Sequence, residues 1–271
     1  MDNKIIVCVP FLKPHAKFLP HFCEWYAANK APHNLILNWK TYKALHEVQE
    51  QSVMAAQQLG ATHVLFVEDD HWGFPVDGLE VLLAEDKDAI GFQTFRRSWP
   101  YRSLAMKKMD PSLTLIGTHR NLIPHDQGSG EQVQETDVVT WAFTLVKVEV
   151  FNALYEAGKK PFQQWGPVPT DSFFNQYCED IGIKRHIHFG YPIPHGDHHP
   201  SDLPFYRRME GQVMRYNDRN GKHSIPDIDD DPDRGEISEV ELAKMGERSY
   251  TQQQIEEQMK GFAERLQCES S

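Results

Sequence analysis

The residues best suited to chemistry are the acidic triplet Glu68, Asp69 and Asp70, which directly follows the apolar run "HVLFV". Such a run is typical of a buried strand, and the carboxyl end of a strand in a parallel sheet opens on the crevice where ligands bind. Because alternate residues of a strand point to opposite faces, Glu68 and Asp70 are predicted to share one direction while Asp69 points elsewhere.

Two carboxylates that converge in a cleft repel each other unless a cation or basic groups lie between them. Carboxylate oxygens together with a diphosphate suit Mg²⁺ or Mn²⁺, which favours a metal site at Glu68 and Asp70. The alternative is a solvated turn whose acids cap a helix that begins near Asp77. The triplet alone does not decide between these two interpretations.

Strand-like and helix-like patterns alternate along the chain, which favours a mostly parallel sheet with flanking helices. The predicted strands cover 4–9, 34–39, 63–67, 88–95 and 184–190, and a further strand within 137–154 passes into a helix. The predicted helices cover 16–30, 42–59, 76–85 and 170–182. This α/β pattern would place the acidic triplet at the end of a central strand.

Composition limits the classes of function. The chain has 271 residues, of which 40% are hydrophobic, enough for one large α/β domain or two small ones. The net charge is −11, but residues 227–271 hold thirteen acidic and five basic residues, so the body is nearly neutral. A neutral body disfavours a protein that binds nucleic-acid backbones.

The cysteines and the N-terminal residues predict a reduced, cytoplasmic protein. The four cysteines show no CxxC spacing, and "MDNKIIVCVPFLKPH" lacks the features of a secretion signal. No apolar stretch approaches the ~20 residues that a membrane span requires.

The C-terminal part of the chain differs from the body. The body is predicted to cover 1–217, an acidic linker 218–250 and a C-terminal helix 251–271. This helix has an apolar stripe, formed by Ile255, Met259, Phe262 and Leu266. The stripe either docks on the body or joins copies of the chain into a homo-oligomer, or binds another partner.

The segment "VLFVEDDHWGFPVDGLEVLL" resembles the "DxD" region of GT-A fold glycosyltransferases, especially the family 2-like group. The preceding "LILNWKTYKALHEVQEQSVMAAQQLGATHVLF" and the following "AIGFQTFRRSWPYRS" resemble the flanking parts of such enzymes, as do "TDVVTWAFTLVKVEVFNAL" and "PTDSFFNQYCEDIGIKRHIHFGYPIPHGD". The match covers roughly residues 4–197. It implies a single GT-A (Rossmann-like) α/β domain, followed here by the acidic tail, and a hexosyltransferase-like enzyme that uses a nucleotide-sugar donor with Mn²⁺ or Mg²⁺.

The resemblance also implies roles for single residues. Asp70 would coordinate the metal, and Glu68 would hold the donor ribose or the waters of the metal. His195 matches the histidine that closes the metal site in many GT-A enzymes, although a simple loop histidine is the alternative. Asp171 matches the acid that removes the acceptor proton in inverting members, and its alternative is an N-cap of the following helix.

Donor contacts are implied at both ends of the match. Pro10 and Phe11 end the first predicted strand, where GT-A enzymes hold the nucleotide base, and Asp69 is grouped with the donor site. Arg97 is the preferred candidate for neutralising the donor phosphates, with a solvent-facing arginine as the alternative.

The chain departs from the family pattern at three positions. Thr170 replaces the first acid of the "ED" pair, which leaves a retaining mechanism open. Gln49 stands where relatives often carry an arginine. Trp141 replaces small residues of the acceptor-side strand and is assigned to acceptor binding, with a core position as the alternative.

The sequence therefore predicts a metal-dependent glycosyltransferase, inverting rather than retaining, with a nucleotide-sugar donor. The alternatives are another α/β metal enzyme, such as a phosphoesterase or nucleotidyltransferase, and a non-catalytic protein that binds a sugar nucleotide or glycan. The acceptor is open and includes a glycan, a protein side chain, a lipid-linked sugar and a modified nucleic-acid base. All of these share one fold, so the fold cannot choose among them.

Overall fold

A computed structural model describes residues 4–41, 43–95, 103–108, 112, 114–116, 122–124, 132–163, 169–196, 206–209 and 212–215. Arg97, the predicted acidic linker 218–250 and the predicted C-terminal helix 251–271 lie outside the described residues.

The described residues form eleven strands and five helices. The strands are β1 (Ile5–Phe11), β2 (Leu35–Thr41), β3 (His63–Val67), β4 (Ala89–Thr94), β5 (Met106–Lys108), β6 (Leu122–Pro124), β7 (Val133–Thr136), β8 (Phe143–Lys147), β9 (Arg185–Ile193), β10 (Tyr206–Met209) and β11 (Gln212–Arg215). The helices are α1 (Phe18–Asn29), α2 (Leu45–Leu59), α3 (Gly78–Ala84), α4 (Val148–Glu156) and α5 (Thr170–Asp180).

Seven strands form the central sheet, in the order β2-β1-β3-β8-β4-β9-β7. The pairings show that β2, β1, β3, β4 and β9 run in one direction, whereas β8 and β7 run in the opposite one. The predicted α/β class, with a mostly parallel central sheet flanked by helices, is confirmed.

Helices cover both faces of this sheet because its central strands are apolar on both sides. In β1, Ile6 and Cys8 lie in a core cluster with residues of α2, α4 and α5. The alternate residues Ile5, Val7 and Val9 lie in a second cluster with residues of α1 and α3. No helix in the described part of the chain is long and apolar enough to cross a membrane.

One edge of the sheet collects the segments that carry the candidate site. Because β1, β3, β4 and β9 run in the same direction, their carboxyl ends meet at this edge, and the antiparallel β8 begins there. The acidic triplet follows β3, and His195 follows β9. The parallel topology thus brings together residues that are more than a hundred positions apart in the sequence.

Candidate metal centre

The acidic triplet divides into two parts, as the strand alternation predicts. The Oδ2 atom of Asp69 accepts hydrogen bonds from the amides of Leu12 and Lys13, at 2.7 and 2.8 Å. The carbonyl of Asp69 accepts a third bond, at 2.8 Å, from the amide of His15. Burial raises the pKa of the Asp69 carboxyl, and the two amide bonds oppose that shift. Asp69 therefore fastens the loop that follows β1 to the end of β3.

Removing this carboxylate is expected to destabilise the fold without touching the metal cluster. We expect Asp69→Ala to lower the free energy of unfolding by about 2 kcal/mol, because two amides lose a charged acceptor. Urea denaturation measures this loss. Mn²⁺ binding at the neighbouring cluster should stay within a few-fold of wild type, and a variant of wild-type stability would contradict the structural role.

The carboxylates of Glu68 and Asp70 instead approach His71. Its Nδ1 atom lies 2.8 Å from Asp70 Oδ1 and 3.7 Å from Glu68 Oε2. On the other side, His195 Nε2 lies 3.2 Å from Asp70 Oδ2. Asp70, His71 and His195 can each offer one ligand atom, and these three atoms lie within 4.8 Å of one another.

One backbone and one side-chain hydrogen bond hold the two histidine segments side by side. The Gly196 amide donates to the Asp70 carbonyl at 2.7 Å, and the Trp72 indole donates to the Gly196 carbonyl at 2.8 Å. The rings of His71 and His195 stack at a centroid distance of 4.2 Å and an interplanar angle of 17°. Asp70 and both histidines are therefore positioned by the ends of β3 and β9 rather than by a loose loop.

The hydrogen bonds of His195 determine what its second nitrogen can do. Its Nδ1 atom lies 2.9 Å from the Phe95 carbonyl, which can only accept, so Nδ1 carries a proton. In a neutral ring, Nε2 then presents a lone pair toward Asp70 Oδ2 at 3.2 Å. Two facing acceptors require a proton or a cation between them. A carbonyl that orients a histidine in this way is also the usual outer partner of a metal-binding imidazole.

The charge state of Asp70 agrees with such a site. Burial by itself would raise the pKa of its carboxyl, but hydrogen bonds and charge interactions with His195 and His71 hold that pKa well below its usual range. The carboxylate is therefore ionised. One anionic oxygen and two imidazole nitrogens form a donor set that a divalent transition metal accepts.

His71 is the cluster member that the sequence reasoning missed. The whole residue is 1% exposed, and the resemblance gave no role to the residue after the acids. The available signal was its position directly after Asp70, at the end of a strand, where a histidine could reach the same ion. By contrast, the two ligands predicted from the sequence, Asp70 and His195, lie in contact at 3.2 Å.

Asp171 lies in the first turn of α5, with Pro169 as the N-cap residue. The carboxylate thus lies two positions beyond the N-cap that was its alternative assignment. Its Oδ1 atom is buried and lacks a hydrogen-bond partner in the described part of the chain. Burial raises the pKa of Asp171 to about 6, against the opposing hydrogen bonds of two backbone amides. The residue as a whole is only partly buried, so its carboxylate is a suitable acceptor for a ligand proton.

Trp141 connects the end of β3 to α5. Its indole donates a 3.0 Å hydrogen bond to Thr170 Oγ1, and its ring centroid lies 4.4 Å from that of Phe66. The side chain is 2% exposed, so it offers no face on which a sugar could stack. The assignment of Trp141 to acceptor binding does not fit this core position. The same contacts place Asp171 at the edge of the sheet that carries the metal cluster.

The core position of Trp141 predicts a loss of stability on substitution. We expect Trp141→Phe to lower the free energy of unfolding by about 2 kcal/mol, because the smaller ring leaves space and Thr170 loses its donor. Equilibrium denaturation in urea checks this value. If Trp141 were a surface platform for an acceptor, the same change would leave stability within about 0.5 kcal/mol of wild type.

The other residues singled out from the sequence, Pro10, Phe11 and Gln49, lie outside the metal cluster. Pro10 is buried at the end of β1, and the half-buried ring of Phe11 stacks on Trp39 at 4.2 Å. Gln49 is fully buried in α2, and neither of its amide atoms has a hydrogen-bond partner in the described residues. Pro10 and Phe11 lie at the carboxyl end of β1, on the sheet edge that carries the metal cluster.

Comparison with known proteins does not establish a family. No family model matches the chain, and no curated protein matches it. Among solved structures, A197 from STIV has a TM-score of 0.40 at 9% identity, covering 81% of this chain and 92% of its own. A putative glucose-1-phosphate thymidylyltransferase from Bacillus anthracis, in complex with a sucrose, has a TM-score of 0.33 at 8% identity, covering 66% of this chain and 83% of its own. TM-scores this low carry no argument about function.

Proposed function

We propose that the chain is a metal-dependent glycosyltransferase that moves a sugar from a nucleotide-diphosphate donor to an acceptor hydroxyl. The observation that carries this proposal is the convergence of Asp70, His71 and His195 at the carboxyl edge of a mostly parallel sheet. The resemblance of the surrounding sequence to the "DxD" region of GT-A glycosyltransferases supports the same reaction.

Asp70 and His195 are the proposed metal ligands, and His71 is the third. A divalent cation bound there would neutralise the donor diphosphate and stabilise the charge that develops on it as it leaves. Two imidazole nitrogens favour Mn²⁺ over Mg²⁺, because Mg²⁺ prefers oxygen ligands. Glu68, close to His71, is placed to hold the donor ribose or the waters of the metal.

The other donor contacts are proposed from position. Pro10 and Phe11 would border the nucleotide base, and Arg97 would face the phosphates. Asp69 contributes indirectly, since its carboxylate already binds the amides of Leu12 and Lys13 and so fixes the loop beside that base.

Asp171 is the proposed general base of an inverting reaction. Its carboxylate would take the proton of the acceptor hydroxyl while the acceptor oxygen bonds to the anomeric carbon. The bond from that carbon to the diphosphate breaks, and its electron pair leaves with the diphosphate. A carboxylate whose burial raises the pKa to about 6 is ionised at neutral pH and is a stronger base than an exposed aspartate.

Product analysis tests the proposed reaction against its alternatives. The protein is incubated with common nucleotide sugars and Mn²⁺, with and without EDTA, and the nucleotide products are quantified. We expect metal-dependent release of a nucleoside diphosphate from one donor, slowly to water when no acceptor is present. Release of inorganic phosphate would indicate a phosphoesterase, and release of pyrophosphate from a nucleoside triphosphate and a sugar phosphate would indicate a nucleotidyltransferase. Donor binding without any product would indicate a binding protein.

A further inference from the structure

A small pocket beside Asp171 lies outside the metal cluster. Its volume is about 180 Å³, and its apolar lining includes Leu104, Met106, Leu115 and Val138. Asp171 and Thr140 also line the pocket. Asp171 is the one charged residue among the described residues of this otherwise largely apolar lining.

The pocket and the metal cluster flank the same strand end. The Leu104 amide, in the pocket wall, donates to the Thr94 carbonyl at 2.9 Å. The next residue, Phe95, provides the carbonyl that orients His195 in the metal cluster. Two consecutive residues at the carboxyl end of β4 therefore contact a residue of the pocket wall and a residue of the metal cluster. This shared strand end places the pocket and the cluster on the same edge of the sheet.

We propose that this pocket receives the acceptor, and that the acceptor is a compact, largely apolar group with one hydroxyl, for which benzyl alcohol is a simple probe. The hydroxyl would point at the carboxylate of Asp171, the one charged group among the described lining residues. This inference rests on the proposed glycosyltransferase function and names the class of its acceptor.

The size of the pocket fits one substituted ring. An apolar cavity of roughly 150 Å³ holds a benzene molecule in another protein, so about 180 Å³ accommodates a ring with one short substituent. In the inverting reaction proposed above, the hydroxyl gives its proton to Asp171 as its oxygen bonds to the anomeric carbon. No further reactant is needed.

A free sugar fits this lining poorly. Each hydroxyl that is buried without a partner lowers affinity by roughly tenfold. A hexose carries several hydroxyls, whereas the described polar lining of the pocket consists of Asp171, Thr140 and Ser172. The apolar remainder of the wall would leave most of the sugar hydroxyls without partners.

Ligand-observed NMR with benzyl alcohol tests the proposal in the full-length protein. We expect saturation transfer to the ring protons of benzyl alcohol and none to glucose at the same concentration. Val138→Phe and Leu104→Phe both fill the pocket, and each should weaken this binding at least tenfold. Circular dichroism shows whether each variant is folded. Two variants are used so that the test still holds if one of them does not fold. Val76→Phe, at a side chain that is 55% exposed, is the matched control and should bind like wild type.

A second measurement separates this inference from the proposed function. Binding of a nucleoside diphosphate with Mn²⁺ should be unchanged in Val138→Phe, while transfer of sugar to benzyl alcohol, followed by mass spectrometry, should fall at least tenfold. If the diphosphate binds but benzyl alcohol binds equally to wild type and both filled variants, the acceptor assignment is overturned alone. If the diphosphate does not bind wild type with Mn²⁺, the proposed function fails.

Discussion

Asp70→Asn is expected to weaken Mn²⁺ binding by more than about 100-fold, because Asp70 supplies the one carboxylate of the three-residue cluster. Asparagine has nearly the same shape and can still contact His71 and His195. It lacks the charge that both histidines stabilise, so the melting temperature of the metal-free protein should fall by a few degrees while the protein stays folded. Isothermal titration with Mn²⁺ and a thermal melt in EDTA measure the two quantities.

Asp86→Asn provides the matched control for this variant. The Asp86 side chain is 84% exposed and pairs with Lys147 at 2.8 Å, outside the cluster. This change of acid to amide at position 86 should leave Mn²⁺ binding at the cluster unaltered. If Asp70→Asn binds Mn²⁺ as wild type does, Asp70 is not a ligand; if it unfolds without metal, the acids at the end of β3 are structural.

Asp171→Asn is expected to have two effects of opposite kinds. Sugar transfer should fall by about 10² to 10⁴, the usual contribution of a general base, while Mn²⁺ and donor binding remain. At the same time the protein should become more stable at neutral pH, because an amide does not carry the charge that burial penalises. Denaturation and transfer assays on the same variant measure both effects.

The stability gain has a defined dependence on pH. The Asp171 carboxyl has an ordinary pKa of 3.8 and a folded pKa of about 6, so between these values the folded protein holds the proton more tightly than the unfolded chain. The contribution of Asp171 to the free energy of unfolding therefore falls as pH rises from about 4 to 6, by at most about 3 kcal/mol. Asp171→Asn should be more stable than wild type at pH 7 and equal to it near pH 4.

Asp86→Asn again provides a control, here with the opposite sign. A hydrogen bond from Lys147 lowers the pKa of Asp86, so its carboxylate favours the folded state above its ordinary pKa. That variant should lose rather than gain stability at pH 7. Equal stability of Asp171→Asn and wild type at pH 7 would contradict the raised pKa that the general-base assignment uses.

Local patterns were sufficient to predict the parts of the fold that depend on short segments. The apolar runs predicted β1, β3 and β4, and strand alternation separated Asp69 from Glu68 and Asp70. The short strands β5, β6 and β7 were missed. The sequence of β7, "VQET", is mostly polar, and its place at the sheet margin comes from pairing with β9.

Other features depend on partners that are distant in the sequence. The antiparallel direction of β8 cannot be predicted from its apolar residues, because a buried strand has the same hydrophobic pattern in either direction. Trp141 is a core residue because Thr170 accepts its indole proton and Phe66 packs against it. His71 is part of the cluster because the end of β9 places His195 next to the His71 ring. The pocket beside Asp171 is formed by several separate segments, so no single motif could indicate it.

A thermal-shift panel tests the central claim most directly. Nucleotide sugars and their nucleoside diphosphates are each added with Mn²⁺, Mg²⁺ or EDTA to wild type and to His195→Ala. A ligand at about 100 times its dissociation constant stabilises the native state by about 2.7 kcal/mol, which raises the melting temperature by several degrees. We expect one nucleotide class to give such a shift with Mn²⁺, less with Mg²⁺, and none in EDTA or in the variant. The absence of a shift with every nucleotide, or an equal shift in EDTA, would contradict a metal-supported donor site.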